Sequence, residues 1–119
     1  MNHKKNTRKL KRTEEERSRL KRDLIGALTK YGTIKTTTTK AKWFRPFFER
    51  LVTLCKNAGD DVQLQFKRVR PYLSEVDSRR FIEVVMPKFA NRQGGYTRQL
   101  HFVSGEAPDR KESIVMIVE

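Results

Sequence analysis

SIVMIV, residues 113–118, is an almost unbroken apolar run near the end of a chain that is 34% charged. Its length and β-branched content read as a strand with little exposure to water. Working upstream, Thr97–Val103 alternates, placing Leu100 and Phe102 on one face. Between the two runs lies SGEAPDRKE, a polar connection containing Gly and Pro, so the pair is expected to form a hairpin. A third extended piece opens TIKTTTTKAK, residues 33–42, where threonine and isoleucine favour a strand before a helix start capped by Thr38 or Thr39. Everything else is punctuated like helix. The expected class is therefore α+β: a two-layer domain with about four helices on a small, mostly antiparallel sheet that includes residues 34–37.

The helical half has clear signals. Thr13-Glu14-Glu15-Glu16 matches a capping box with acids in the first turn. Leu20, Leu24, Ile25, Leu28 and Tyr31 then recur at helical spacing up to Gly32, a suitable stop. A second helix is expected over 40–58, burying Ala41, Phe44, Phe48, Leu51, Val52 and Cys55. Pro46 inside it predicts a kink or a late start. Trp43, Phe44, Phe47 and Phe48 form an aromatic cluster, read as core or protein contact before base-stacking platform. Asp60 or Asp61 is expected to cap a third helix carrying Leu64 and Phe66, broken by Arg70-Pro71. Asp77 is expected to cap a fourth with Phe81, Val84, Val85 and Phe89 inward, made irregular at its end by Pro87.

Charge narrows the function. Over 119 residues, 27 Lys+Arg against 14 Asp+Glu leave +13. Such self-repulsion is hard to explain without a polyanionic partner. Residues 1–12, MNHKKNTRKLKR, hold six of those cations and no acid. They bury too little to offset their own ordering entropy and read as a basic arm that a polyanion orders, leaving 13–119 as the globular unit. Arg17, Arg19, Lys21 and Arg22 lie mostly off the apolar stripe of the first helix. Their readings as a solvated face and as a second RNA-facing surface carry similar weight.

Catalytic chemistry finds no footing. The stretch FANRQGGYTR, residues 89–98, lacks the spacing and the Lys-Ser/Thr end of a phosphate-binding P-loop, and it stands between helix and strand instead of strand and helix. The lone Cys55 sits in LVTLC and reads as a core thiol. His3 and His101 are far apart with no cysteine cluster, so no metal or other cofactor is expected. No run approaches the ~20 apolar residues of a membrane span, and the chain is expected to be soluble and unprocessed, with no small-molecule substrate. What the loop does offer is glycine backbone freedom, amides suited to anions, the planar forks of Arg92 and Arg98, and the ring of Tyr96 for stacking or for packing under the turn.

In combination, these motifs are familiar. His3-Lys4-Lys5 and Leu10-Lys11-Arg12, then Ile34-Lys35-Thr36-Thr37 with Lys40-Ala41-Lys42, then Arg92-Gln93-Gly94-Gly95-Tyr96-Thr97-Arg98 resemble, in that order, bacterial ribosomal protein seventeen of the large subunit. The resemblance covers nearly the whole chain. It implies a structural, non-catalytic protein of the cytoplasmic ribosome that supports translation. Its implied partners are large-subunit ribosomal RNA and neighbouring large-subunit ribosomal proteins, around the nascent-chain exit region. Carried over residue by residue, the implied RNA contacts are His3, Lys4, Lys5, Arg8, Lys9, Lys11, Arg12, Arg17, Lys35, Lys40, Lys42, Arg92, Gly94, Gly95, Tyr96 and Arg98. Two places depart from the family pattern. Glu16-Arg17 stands where His-Arg is usual, and Asp109-Arg110-Lys111-Glu112-Ser113 replaces a basic turn with Gly-Asp. The alternative reading is a stand-alone nucleic-acid-binding regulator, disfavoured because no helix-turn-helix or comparable reading module is evident.

Overall fold

The computed structural model describes residues 10, 12–103 and 111–118. Helix α1 (Glu14–Tyr31) leads through Gly32 into strand β1 (Thr33–Thr37), and α2 (Thr38–Lys56) follows without a linker. Then come α3 (Val62–Val69) and α4 (Glu75–Arg80), which runs on through a π-helical turn at Phe81–Val85 and one closing α-turn at Met86–Lys88. Strands β2 (Thr97–Val103) and β3 (Lys111–Ile117) complete the chain. The sheet order is β1-β3-β2 with both pairings antiparallel. The α+β architecture expected from sequence is the one observed, and residues 34–37 are in the sheet. Of the β2–β3 connection, residues 104–110 lie outside the described residues.

The capping box forms as read. Thr13 Oγ1 accepts from the Glu16 amide at 3.2 Å, and Glu16 Oε1 accepts from the Thr13 amide at 3.2 Å. Two other caps fall elsewhere than expected. α2 is capped by Thr37, whose hydroxyl accepts from the Lys40 amide, because Thr38 turns its own hydroxyl to buried Ser113 at 2.9 Å. α4 is capped by Ser74, three residues before Asp77, and Asp77 is spent instead on Arg80. Asp61 caps α3, one of the two residues proposed for it.

The core lies between the helices and the inner sheet face. Phe44, Phe48, Phe81, Phe89, Leu28, Leu73, Val52, Val69, Val85, Val115 and Cys55 are fully buried. Each such aliphatic or aromatic side chain contributes roughly 1.5–3 kcal/mol by leaving water. Pro46 does not delay α2: the helix starts at Thr38 and is continuous across the proline, with Phe44 and Phe48 buried on either side of it. Trp43 is also buried and meets Phe47 edge-on at 5.7 Å, so the aromatic cluster is mainly core, with only Phe47 half in water.

Two stripe assignments are corrected by packing. Tyr31, the last residue of α1 before the left-handed turn at Gly32, is 66% exposed. Val84 is 46% exposed, although 3.6-residue spacing from Phe81 points it inward. The π turn explains this. The Met86 amide bonds Phe81 O, five residues back, so one extra residue enters the turn and Met86 takes the buried place. Pro87, which cannot donate to the Glu83 carbonyl, follows immediately and makes the helix end irregular, as its sequence position suggests.

Candidate nucleic-acid interface

The QGGYTR loop is a built structure, held from α2. Gly94 and Gly95 take φ of +89° and +61°, the left-handed region that a Cβ disfavours. Arg92 Nε donates to Gly95 O at 3.0 Å, closing the turn with its own side chain. Lys56, at the end of α2, donates to Arg92 O, and Tyr96 Oη approaches the same carbonyl at 3.4 Å. Tyr96 itself is 5% exposed, tilted against Phe89 with ring centroids 4.7 Å apart. Of the two uses proposed for its ring, the geometry has it packing under the turn.

Two α2 residues that sequence reading missed do most of the anchoring. Glu49 accepts from the Tyr96 amide at 3.3 Å and from the Thr97 hydroxyl at 3.1 Å. Arg45 donates to Thr97 Oγ1, Thr97 O and Gln99 Oε1 at 2.9, 3.1 and 3.1 Å. Their only sequence signal is position: both are charged residues one turn apart on the side of α2 next to its apolar stripe. A polar inner face on β2 needs such partners, and that face became visible only with the register.

The strand register sorts the expected RNA-facing cations. Thr97, Gln99 and His101 of β2 turn inward with Ser113, Val115 and Ile117 of β3, so Arg98, Leu100 and Phe102 turn outward. Leu100 and Phe102 do share a face, but it is the face without helices. Lys35 of β1 and Arg98 of β2 lie on that same open face; Lys35 is in line with Leu100 across β3 and Arg98 is two residues along from it, so their Cα atoms are ~12 Å apart. Between and beside them are Ile114, Met116, Leu100 and Phe102. Lys35 Nζ stands 4.9 Å over the Phe102 ring and 3.9 Å from Glu112 Oε2.

Other expected contacts are separated. Lys40 and Lys42 flank the start of α2 and the Gly-Gly loop lies at its far end, about 24 Å away along the axis at ~1.5 Å per residue. Arg17 is engaged at the root of the arm, where its guanidinium donates to Arg12 O at 2.6 Å. Leu10 packs against the core beside it. His3, Lys4, Lys5, Arg8, Lys9 and Lys11 lie outside the described residues. Glu16, the departure from the family pattern, has its carboxyl held below the usual range by the hydroxyl and amide of Thr13. Its job in this chain is the helix cap.

One juxtaposition looks catalytic and is not built that way. Ser113 Oγ lies 3.3 Å from His101 Nδ1, the pairing a hydrolytic nucleophile uses. Yet Ser113 is fully buried, and its oxygen is also taken by Thr38 and Gln99 at 2.9 and 3.0 Å. It is a polar plug between the layers. Burial pushes the Cys55 thiol up to about 11, so it is no nucleophile either. Among the described residues no group of His, Cys, Asp and Glu is arranged to hold a metal, and no helix is long and apolar enough to cross a membrane.

The model of the family "Ribosomal protein L17" matches residues 20–118. The chain belongs to that family. It is similar to large ribosomal subunit protein bL17 of Nautilia profundicola, 39% identical over 113 residues that cover 92% of this chain and 93% of the relative. The bL17 proteins of Rhodopseudomonas palustris (strain HaA2) and Jannaschia sp. are 43% and 36% identical, each over 98 residues covering 82% of this chain and 70% of the relative. This L17-family chain is thus a structural ribosomal protein and not an enzyme, and the Ser113–His101 contact serves packing.

Proposed function

We propose that this L17-family protein is a constituent of the large ribosomal subunit that binds and stabilises folded large-subunit ribosomal RNA, alongside neighbouring ribosomal proteins, in the cytoplasm. The observation that carries the reading is the family match across residues 20–118. The +13 charge gives it a physical basis: phosphate neutralisation with release of condensed counterions. In this reading residues 1–12 are an arm that follows an RNA groove, with Leu10, Arg12 and Arg17 fixing its root on the 13–119 domain. Lys35 and Arg98 grip phosphates from the open sheet face, Lys40 and Lys42 from the head of α2, and the Arg92-Gly94-Gly95 turn from its foot. Tyr96 acts from underneath, by shaping that turn.

Sedimentation of cell extract tests the placement. The protein is expected to migrate with large subunits in fixed proportion through a moderate salt wash; recovery in the soluble pool sinks it. Binding to isolated large-subunit RNA should lose affinity steeply with salt, about 0.7–0.9 units of log–log slope per phosphate contacted. A flat salt profile is the contrary result.

A further inference from the structure

A cleft of about 300 Å³ opens between α1, α2 and the turn that joins α3 to α4. Its floor is apolar: Ile25, Leu51 and Leu54, with the half-buried ring of Phe47. Its rim is cationic and aromatic: Lys21, Arg22 and Arg50 from the two helices, and Tyr72, which is 53% exposed, from the turn. No carboxylate lines it.

The three cations are poorly satisfied by the protein. Lys21 Nζ rests 3.7 Å over the Phe47 ring and 5.8 Å from that of Trp43, while the Arg50 guanidinium stands 5.7 Å from Phe47 on its own account. Among the described residues none of Lys21, Arg22 and Arg50 makes an ion pair. Desolvation first, then the fields of Arg17 and Arg50, hold the Lys21 ammonium below its ordinary pKa, with only Glu14 opposing. Converging like charges over aromatic rings with no anion among them are complementary to a group that brings both negative charge and a flat apolar face. A cleft of this volume, mostly apolar with a few convergent polar groups, is the form of a small-ligand pocket.

We infer that this cleft receives one unstacked nucleotide of ribosomal RNA, its base stacked on the exposed Tyr72 ring and meeting the edge of Phe47, and its phosphates among Lys21, Arg22 and Arg50. Single-stranded or bulged RNA offers such bases, and aromatic side chains take them by stacking while cations hold the backbone. The inference rests on the RNA-binding reading above and adds a site to it. In it, two of the α1 cations, Lys21 and Arg22, face RNA. An acidic protein segment would satisfy the charge but would leave the aromatic pair without a flat partner.

Ultraviolet crosslinking of intact large subunits, followed by digestion and mass spectrometry, reads the site directly. Nucleotide adducts are expected on Phe47 or Tyr72. In parallel, full-length protein is titrated with isolated large-subunit RNA. Tyr72→Ala should weaken binding about five- to a hundredfold at fixed salt without changing the salt slope. Arg22→Gln with Arg50→Gln should instead lower the slope by about 0.7–0.9 units for each phosphate lost. All three side chains are exposed, so circular dichroism should show the fold retained. Wild-type slope and affinity in the variants, with no adduct at either ring, overturn the cleft while the ribosomal reading stands. A protein segment crosslinked there instead also overturns it. If the wild-type protein fails to bind this RNA, both readings fall together.

Discussion

Glu49→Ala is the sharpest test of how the Gly-Gly loop is held. The substitution removes the acceptor of the Tyr96 amide and of the Thr97 hydroxyl, both part-buried between α2 and β2. Thr97 Oγ1 still accepts from Arg45, but its proton has no other partner in the structure's bonding pattern. A buried polar group left without its partner costs about 1–3 kcal/mol. Two groups on one carboxylate are coupled and add incompletely, so the expected loss is ~2–4 kcal/mol. At ~2.1 cal/mol/K per residue the unfolding entropy of this chain is about 0.25 kcal/mol/K, which converts the loss into a Tm lowered by ~8–16 °C. Glu49→Gln keeps one carbonyl acceptor and should lose roughly half as much. Thermal melts of the free protein by circular dichroism give both numbers. If Glu49→Ala melts within ~2 °C of the parent, under about 0.5 kcal/mol, the Glu49 carboxylate does not hold the loop and the Arg92, Lys56 and Arg45 contacts suffice.

Further outcomes follow from particular contacts. Thr13→Ala should cost about 1 kcal/mol by opening the capping box. Because the Glu16 carboxyl is held below its ordinary pKa, the cap's contribution is present above that ordinary value and is lost as pH falls through the folded-state value; acid melts of wild type and Glu16→Gln should converge there, and parallel curves would argue against it. Phe44→Ala, at a fully buried position, should cost about 3–5 kcal/mol in chemical denaturation, and a near-neutral result would contradict the packing described. Native protein should resist thiol alkylation at pH 8 and react once unfolded; since the Cys55 thiol is raised to about 11 from 9.0, the unfolded chain ionises first and stability should decline as pH rises through that interval. Arg98→Ala, on the open sheet face, should weaken RNA binding with the melt unchanged, whereas Arg92→Ala should weaken binding and also lower the melt, because Arg92 Nε closes the turn on Gly95.

Local chemistry was sufficient for the elements themselves. The capping box at Thr13, the stop at Gly32, the buried side of α2 and the limits of β2 follow from side-chain period, cap preference and backbone freedom, all of which act within a few residues. The family could be named from motif order for the same reason: the motifs are short and each carries its own residue types. What resisted reading depended on partners distant in sequence or on a local shift of helix register. Thr37 caps α2 because Thr38 is needed by Ser113, 75 residues on. Val84 faces water because a π turn shifts the helix register before Pro87. Trp43 could be assigned to the core only once α1 lay beside it.

The same division holds for the site. The charge excess and the Gly-Gly turn with its arginines were plain in the chain, since composition and glycine spacing need no fold to be seen. Only the tertiary structure decided that Lys35 and Arg98 share an open sheet face, that Lys40 and Lys42 stand a helix-length from the loop, and that Tyr96 lies beneath it. Only the packing of α1 against α2 put Lys21, Arg22 and Arg50 around Phe47. The reason is physical: a charge acts through its position relative to other charges and to water, and position is set by the pairing of strands and the docking of helices, which no short stretch of sequence encodes.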